Sequence, residues 1–270
     1  SSGRPLLEYD EKGYLDLQFP TGSLIKVFTV VAALKQDPSF KNFRTTCRPS
    51  RWSNSSFETC WYRQGHGEIG LEEALAQSCN WYLREMAERI KPINFWETLA
   101  DFGLIKRQRL AEYLRWSRRE TLEVMVGTGI RLKVSPRALL YAYCALFNGG
   151  YLFEASHTGP AGVFLRVKVS PEILRVIRSG MSRCWSEGSG KSGLLSSGQA
   201  SVAGKTGTAA YYCSEDTGSW KTHGMFVGFS PQEGLPRAGI IVFCFSGDGR
   251  RAAEIAGDVL AVIGRLSSRP

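Results

Sequence analysis

Val202-Ala203-Gly204-Lys205-Thr206-Gly207-Thr208-Ala209 decides how the rest of this chain is read. It reads as part of a strand over residues 200–210, and Gly207 keeps the strand edge open for something to lie along it. Far upstream, Gly22-Ser23-Leu24-Ile25-Lys26 opens a segment, residues 23–36, that is apolar almost all round: Leu24, Ile25, Val27, Phe28, Val30, Val31, Leu34. A helix apolar on every face is a buried one. Ser23 and Lys26 are its polar exceptions and, three residues apart, share a face. Between the two stretches, Ser78-Cys79-Asn80 interrupts helical periodicity over residues 71–90.

A serine hydroxyl is a poor nucleophile unless a base takes its proton as it attacks. Lysine is normally charged, with an unperturbed pKa of ~10.4. Burial and a second positive charge both penalise the ammonium form and bring that value down. The apolar helix around Lys26 meets the first condition, and periodicity itself shows only that Ser23 and Lys26 share a face. Taken singly, Ser23 reads as a helix N-cap, Lys26 as a snorkelling surface lysine and Thr206-Gly207 as a turn. Their occurrence together, in this order, favours chemistry. Competing patterns are missing: there is no Gly-x-Ser-x-Gly elbow, and the 3 histidines are His66, His157 and His223. His223 precedes an apolar strand and reads as structural or substrate-lining, not as a triad base.

The chain of 270 residues can bury a sizeable core, and 43% hydrophobic with 22% charged residues is ordinary for a globular protein. No apolar run approaches the ~20 residues that span a bilayer. The start, Ser1-Ser2-Gly3-Arg4-Pro5, reads as a trimmed terminus, so an anchor or export signal is expected to lie outside this chain. The net charge of +9 comes mainly from arginine. Basic runs at residues 106–109 and 115–119 read as solvated helix faces, and with no nucleic-acid fold signature beside them nucleic acid is not an expected partner.

Residues 6–19 read as a short strand pair turning at Asp10-Glu11-Lys12-Gly13, and residues 40–70 as a long loop. Helices are expected over 95–104, 136–147 and 171–185, then a Gly/Ser-rich loop over 186–201. Strands at 200–210, 224–229 and 238–245 and a helix at 252–266 complete the chain. Strands at both ends with helices between imply a sheet closed by the two termini and an inserted helical lobe. The expected division is a sheet lobe of about 1–38 and 165–270 and a helical lobe of about 39–164.

Ser-x-x-Lys, Ser-x-Asn and Lys-Thr-Gly, in that order, resemble the active-site elements of the penicillin-interacting serine acyltransferases. The flanks extend the likeness over roughly residues 18–262 to the transpeptidase domain of class B penicillin-binding proteins. Cys60-Trp61, Gly65-His66-Gly67 and Leu71-Glu72-Glu73-Ala74-Leu75 are similar to the lead-in of elongation-type members. Val126-Gly127-Thr128-Gly129, Val134-Ser135-Pro136, Phe147-Asn148-Gly149-Gly150 and residues 223–231 match further on. The resemblance implies an α+β fold of the serine beta-lactamase/transpeptidase type, an antiparallel sheet sandwiched by helices with an inserted all-helical subdomain.

It also implies roles: Ser23 as nucleophile, Lys26 as base, Ser78 as proton relay and Asn80 as holder of the substrate amide. Lys205, Thr206 and Thr208 would bind the substrate carboxylate, Gly207 would let substrate lie along the strand, and the N–H groups of Ser23 and Thr208 would form the oxyanion hole. The implied activity is a peptidoglycan DD-transpeptidase cleaving D-Ala-D-Ala, or a carboxypeptidase if water accepts the acyl group. Beta-lactams would trap the same serine, and no cofactor is needed for the chemistry. The implied setting is extracytoplasmic, with peptidoglycan stem peptides as substrate and envelope-anchored cell-wall synthesis proteins as partners. The rivals are a class D-type serine beta-lactamase and a beta-lactam sensor. Asn80 and the lack of Tyr-Gly-Asn and Glu-x-x-Leu-Asn stand against the first; intact motifs do not exclude the second.

The 7 cysteines exclude complete internal pairing. Cys144 and Cys244 read as apolar fillers, Cys213 as an ordinary thiol near the cleft, and Cys184 carries no signal. Cys47, Cys60, His66 and Cys79 make a full tetrahedral shell for structural zinc, similar to the zinc position of some elongation-type penicillin-binding proteins. A Cys47–Cys60 disulfide, suited to an oxidising compartment, and three free thiols remain the alternatives.

Overall fold

The all-apolar segment forms a 3-10 turn, Gly22–Ile25, that runs straight into the helix Lys26–Gln36. In the computed structural model the residues described are 7–49, 59–153, 163–198, 201–213, 220–230 and 238–267. Leu24, Val27, Phe28, Val30 and Val31 are fully buried. Such a helix has no solvent face, so neighbours surround it: Asn80–Ala87, Pro92–Asp101, Arg118–Val126 and Pro171–Ser186 all pack against it. Local sequence starts these helices. Ser135 and Ser170 each cap a backbone N–H three residues on, with Pro136 and Pro171 at the first helical position. Ser117 and Glu120 form a capping box.

The C-terminal part folds into a three-stranded antiparallel sheet, Ala203–Cys213, Trp220–Ser230 and Ala238–Cys244, with the motif strand at one edge. Strand alternation gives the sheet two apolar faces. Phe226, Ile240 and Val242 pack on Ala252, Ala253, Ala256 and Leu260 of the helix Gly249–Ser267. Val227 and Ile241, one residue along in each strand, join the large core around the Lys26–Gln36 helix. The sheet therefore lies between helices, as expected. Trp185, from Pro171–Ser186, packs on the C-terminal helix side.

Several expectations change. Residues 7–18 form turns instead of a strand pair, with Leu6 outside the described residues. The Asp10 carboxylate accepts from the N–H groups of Tyr14 and Leu15, each at 2.8 Å, which satisfies the backbone locally. Arg137 pins the segment by pairing with Glu8 and Asp16. The sheet is not closed by both termini among the described residues: its strands all come from the C-terminal part, and Phe19–Pro20 pairs with Lys133–Val134. Within residues 40–70, Arg44–Cys47 pairs antiparallel with Gly67–Gly70, while residues 50–58 lie outside the described set. The Gly/Ser-rich stretch contains a helix, Lys191–Ser197, because Gly193 and Gly257 let it approach the C-terminal helix closely. His157 also lies outside the described residues.

Gly127 ends the Arg118–Val126 helix at φ 79°, a left-handed cap that favours glycine. A Cβ there would lie 2.5 Å from the carbonyl oxygen of Gly22 and 3.0 Å from Cα of Ser23. Gly127→Ala is therefore expected to cost about 2–3 kcal/mol, read as a lower urea unfolding midpoint at unchanged slope.

Candidate active site

Ser23 sits in the middle of the 3-10 turn, one turn before Lys26, and its position is fixed from several sides. The Tyr143 hydroxyl donates to the Leu24 carbonyl at 2.6 Å, and Thr29 donates to the Met125 carbonyl at 2.7 Å. His223 donates from Nε2 to the Pro20 carbonyl at 2.8 Å, which ties the chain entering the turn to the sheet. That bond uses the ring nitrogen as a donor, so His223 is a structural tether. Gly207 faces the same turn: a Cβ on it would meet Leu24 Cγ at 3.0 Å. The missing side chain thus serves packing of the turn on the strand, where the sequence suggested room for substrate.

Lys26 and Lys205 are both fully buried and converge on one hydroxyl. Lys205 Nζ donates to Ser78 Oγ at 3.0 Å and Lys26 Nζ to the same atom at 3.2 Å. Lys26 also donates to Asn80 Oδ1 at 2.6 Å and to the Ser78 carbonyl at 2.7 Å. Burial first, and the Lys205 charge second, push the Lys26 pKa down to about 7. Burial lowers Lys205 as well. A neutral amine has two hydrogens, and the two shorter bonds, to Asn80 and the Ser78 carbonyl, use both. Its lone pair then takes the place of the ammonium's third hydrogen and faces Ser78 Oγ.

Ser78 itself has φ 54°, the only described non-glycine residue at positive φ. It joins the helices Leu71–Ala76 and Asn80–Ala87, and this unfavourable conformation turns its carbonyl and hydroxyl toward the lysines. Trp61 Nε1 donates to the carbonyls of Gln77 and Ser78, both at 3.1 Å, and helps hold the turn. Cys60-Trp61 was legible as a pair; this role was not.

On the edge strand, Lys205 lies opposite Val227 and points toward Ser78, while Thr206 and Thr208 face the other way. Thr206 Oγ1 is 2.5 Å from Ser189 Oγ, and Thr208 Oγ1 accepts from the N–H of Gly249 at 2.9 Å. Ser189 lay within a featureless Gly/Ser stretch and gave no sequence signal.

Cys47, Cys60, His66 and Cys79 come together: their ligand atoms all lie within 4.8 Å of one another. Cys47 and Cys60 are free thiols in this arrangement. A hydrogen bond with Cys79 is the largest of the effects holding the Cys60 thiol below its usual range, and His66 adds to it against the opposing effect of burial. Cys79 also caps the Asn80–Ala87 helix, its Sγ accepting from Tyr82 N–H at 3.4 Å, so the cluster is bonded directly between Ser78 and Asn80.

Residues 7–261 match the family of the penicillin binding protein transpeptidase domain. The chain is 24% identical over 215 residues to the stage V sporulation protein D of Bacillus subtilis, covering 71% of this chain and 33% of that protein, so it spans about a third of that relative's length. Among solved structures, the penicillin-binding protein PBP2 of Helicobacter pylori is similar with TM-score 0.77 at 18% identity, over 95% of this chain and 51% of that one. The transpeptidase domain of Burkholderia pseudomallei penicillin-binding protein 3 is similar with TM-score 0.72 at 21% identity, over 96% of this chain and 83% of that one. At these identities the structural likenesses speak to the fold.

Proposed function

The chain belongs to the penicillin-binding protein transpeptidase domain family, and from that premise we propose that it is the catalytic part of a peptidoglycan DD-transpeptidase acting through an acyl-enzyme on Ser23. The observation that carries this reading is the meeting of Lys26 and Lys205 at Ser78 Oγ, with the Lys26 pKa brought to about 7 one turn after Ser23.

In the proposed reaction, the Ser23 hydroxyl gives its proton to neutral Lys26 as Oγ attacks the carbonyl carbon of the D-Ala-D-Ala bond. The backbone N–H groups of Ser23 and Thr208 receive the developing oxyanion. The proton passes through Ser78 Oγ to the leaving nitrogen, the C–N bond breaks, and D-Ala departs. Lys205, donating as an ammonium to Ser78, would lower the energy of the anionic transition state. Asn80 holds the donor amide, and Lys205, Thr206 and Thr208 form the end of the cleft that takes the substrate carboxylate. An amine of a neighbouring stem peptide then accepts the acyl group; water in its place gives a carboxypeptidase. A beta-lactam presents the same carboxylate and amide and leaves its ring-opened acyl group on Ser23.

The cleft in this reading lies between a sheet lobe, 1–38 and 165–270, and a helical lobe, 39–164. Its substrate and its envelope-anchored partners place it outside the cytoplasm. No helix among the described residues is long and apolar enough to cross a membrane.

The chemistry needs no cofactor, but the Cys/His cluster fits a structural zinc. Metal–sulfur bonds of ~2.3 Å in a tetrahedron put sulfurs ~3.8 Å apart, and Cys60 Sγ and Cys79 Sγ are 3.8 Å apart. His66 Nδ1 is 3.6 Å from Cys47 Sγ and 3.4 Å from Cys60 Sγ. Four protein ligands leave no open position, so the metal would order the Trp61 and Ser78 segments and take no part in the reaction.

Intact-mass analysis with benzylpenicillin tests the proposal. The wild type is expected to gain one persistent adduct on Ser23, absent in Ser23→Ala, with the rate rising through pH of about 7 as Lys26 loses its proton. Lys26→Ala is expected to acylate ~10²–10⁴-fold more slowly. Acylation of Ser23→Ala at the wild-type rate would remove the assignment, and rapid loss of the wild-type adduct would make the protein a beta-lactamase. Elemental analysis of protein purified without chelator is expected to find about one zinc per chain, lost in Cys60→Ser together with much of the acylation rate; metal-free protein with full activity would refute the zinc site.

A further inference from the structure

Thr206 and Thr208 stand two apart on one face of the edge strand, and each hydroxyl oxygen has a protein group set behind it. Behind Thr208 is the N–H of Gly249, first residue of the C-terminal helix, at 2.9 Å. A backbone N–H can only donate, so the Thr208 oxygen accepts there and its own hydrogen is free to point elsewhere. Behind Thr206 is Ser189 Oγ at 2.5 Å, and here either oxygen can be the donor.

The surroundings of Ser189 favour one direction. Its hydroxyl has two acceptors within reach, Thr206 Oγ1 at 2.5 Å and the Ala76 carbonyl at 3.3 Å. The Ala76 carbonyl already accepts from the Ser189 backbone N–H at 3.0 Å. A Ser189 hydrogen turned to Thr206 Oγ1 therefore makes a shorter bond than one turned to the shared Ala76 carbonyl. With that direction, the Cys184 thiol, 3.4 Å from Ser189 Oγ, serves as a weak donor behind it in a chain from Cys184 through Ser189 to Thr206. Hydrogen bonds in such a chain polarise one another, which makes the last hydrogen the strongest donor.

We propose that Ser189 is a positioning residue for carboxylate recognition: it donates to Thr206 so that the Thr206 hydrogen, like that of Thr208, is presented to the free carboxylate of the donor substrate. The proposal rests on the transpeptidase reading and adds to it the group that orients one of its two recognition hydroxyls. Ser189 does not touch substrate; it acts through Thr206. It also ties the Lys205–Thr208 segment to the end of the Leu71–Ala76 helix, two residues before Ser78, through its two contacts to Ala76. Loss of its hydroxyl leaves Thr206 free to turn its hydrogen inward, and the cost falls on substrates that carry the carboxylate.

The test compares benzylpenicillin with its methyl ester, which keeps the reactive ring and removes the negative charge. Acylation rates of wild type, Ser189→Ala and Ser189→Thr are measured by intact mass, with unfolding midpoints alongside. Ser189→Ala is expected to slow reaction with the acid about tenfold, the size of one hydrogen bond to a charged group, while leaving the ester within about twofold. Ser189→Thr, which retains the hydroxyl, is expected to recover most of the loss. An equal loss on acid and ester would show that Ser189 only holds the fold. Faster reaction of Ser189→Ala with the acid would show that Thr206 donates to Ser189, reversing the proposed direction. A wild type that is not acylated at all would overturn the transpeptidase reading beneath the proposal.

Discussion

Two lysines buried to zero exposure and aimed at one serine hydroxyl form the constraint on which the rest of this structure depends. Burying a single ammonium is costly, and a second at this distance adds like-charge repulsion. The structure meets that cost in two ways. It gives Lys26 three oxygen partners and Lys205 two. It also brings the Lys26 pKa down to about 7, so a neutral amine is accessible near neutral pH. In the proposed reaction, a pair of charges that would be a liability in a core serves as a base beside a cation.

Everything around the pair holds those partners in place. Ser78 keeps a left-handed backbone only because both flanking helices, the Trp61 indole and the Cys79 cap fix it. The Gly22–Ile25 turn is clamped by Tyr143, His223 and the glycine contacts of Gly127 and Gly207. The edge strand is buttressed by Ser189 on one threonine and the start of the C-terminal helix on the other. The thiol–imidazole cluster belongs to the same support, since Cys79 lies between the serine and the asparagine that bind Lys26.

What the sequence disclosed follows from what sequence patterns encode. Ser23, Lys26, Ser78, Asn80 and Lys205 were legible because short motifs preserve spacing along one turn or one strand, and the apolar helix around Lys26 announced its burial. Cys47, Cys60, His66 and Cys79 were legible because few side chains bind metal. The turns at residues 7–18 were misread, since alternation there competed with an Asp10 carboxylate that satisfies two backbone N–H groups. Lys191–Ser197 was missed because its helix depends on glycines fitting against a distant helix, which local propensity does not register. Ser189 and Trp61 act through bonds to backbone and hydroxyl groups remote in sequence, and no one-dimensional pattern carries them.

In the proposed reaction the Lys205 charge helps keep Lys26 neutral enough to act as base. The direct measurement is the pH dependence of Ser23 acylation in wild type and in Lys205→Gln, which removes the charge and keeps a hydrogen-bond donor toward Ser78. With the like charge gone, the Lys26 ammonium is easier to hold, so its pKa rises and the acidic limb of the rate profile moves to higher pH than the wild-type value of about 7. A limb that stays in place or moves to lower pH would contradict the claim.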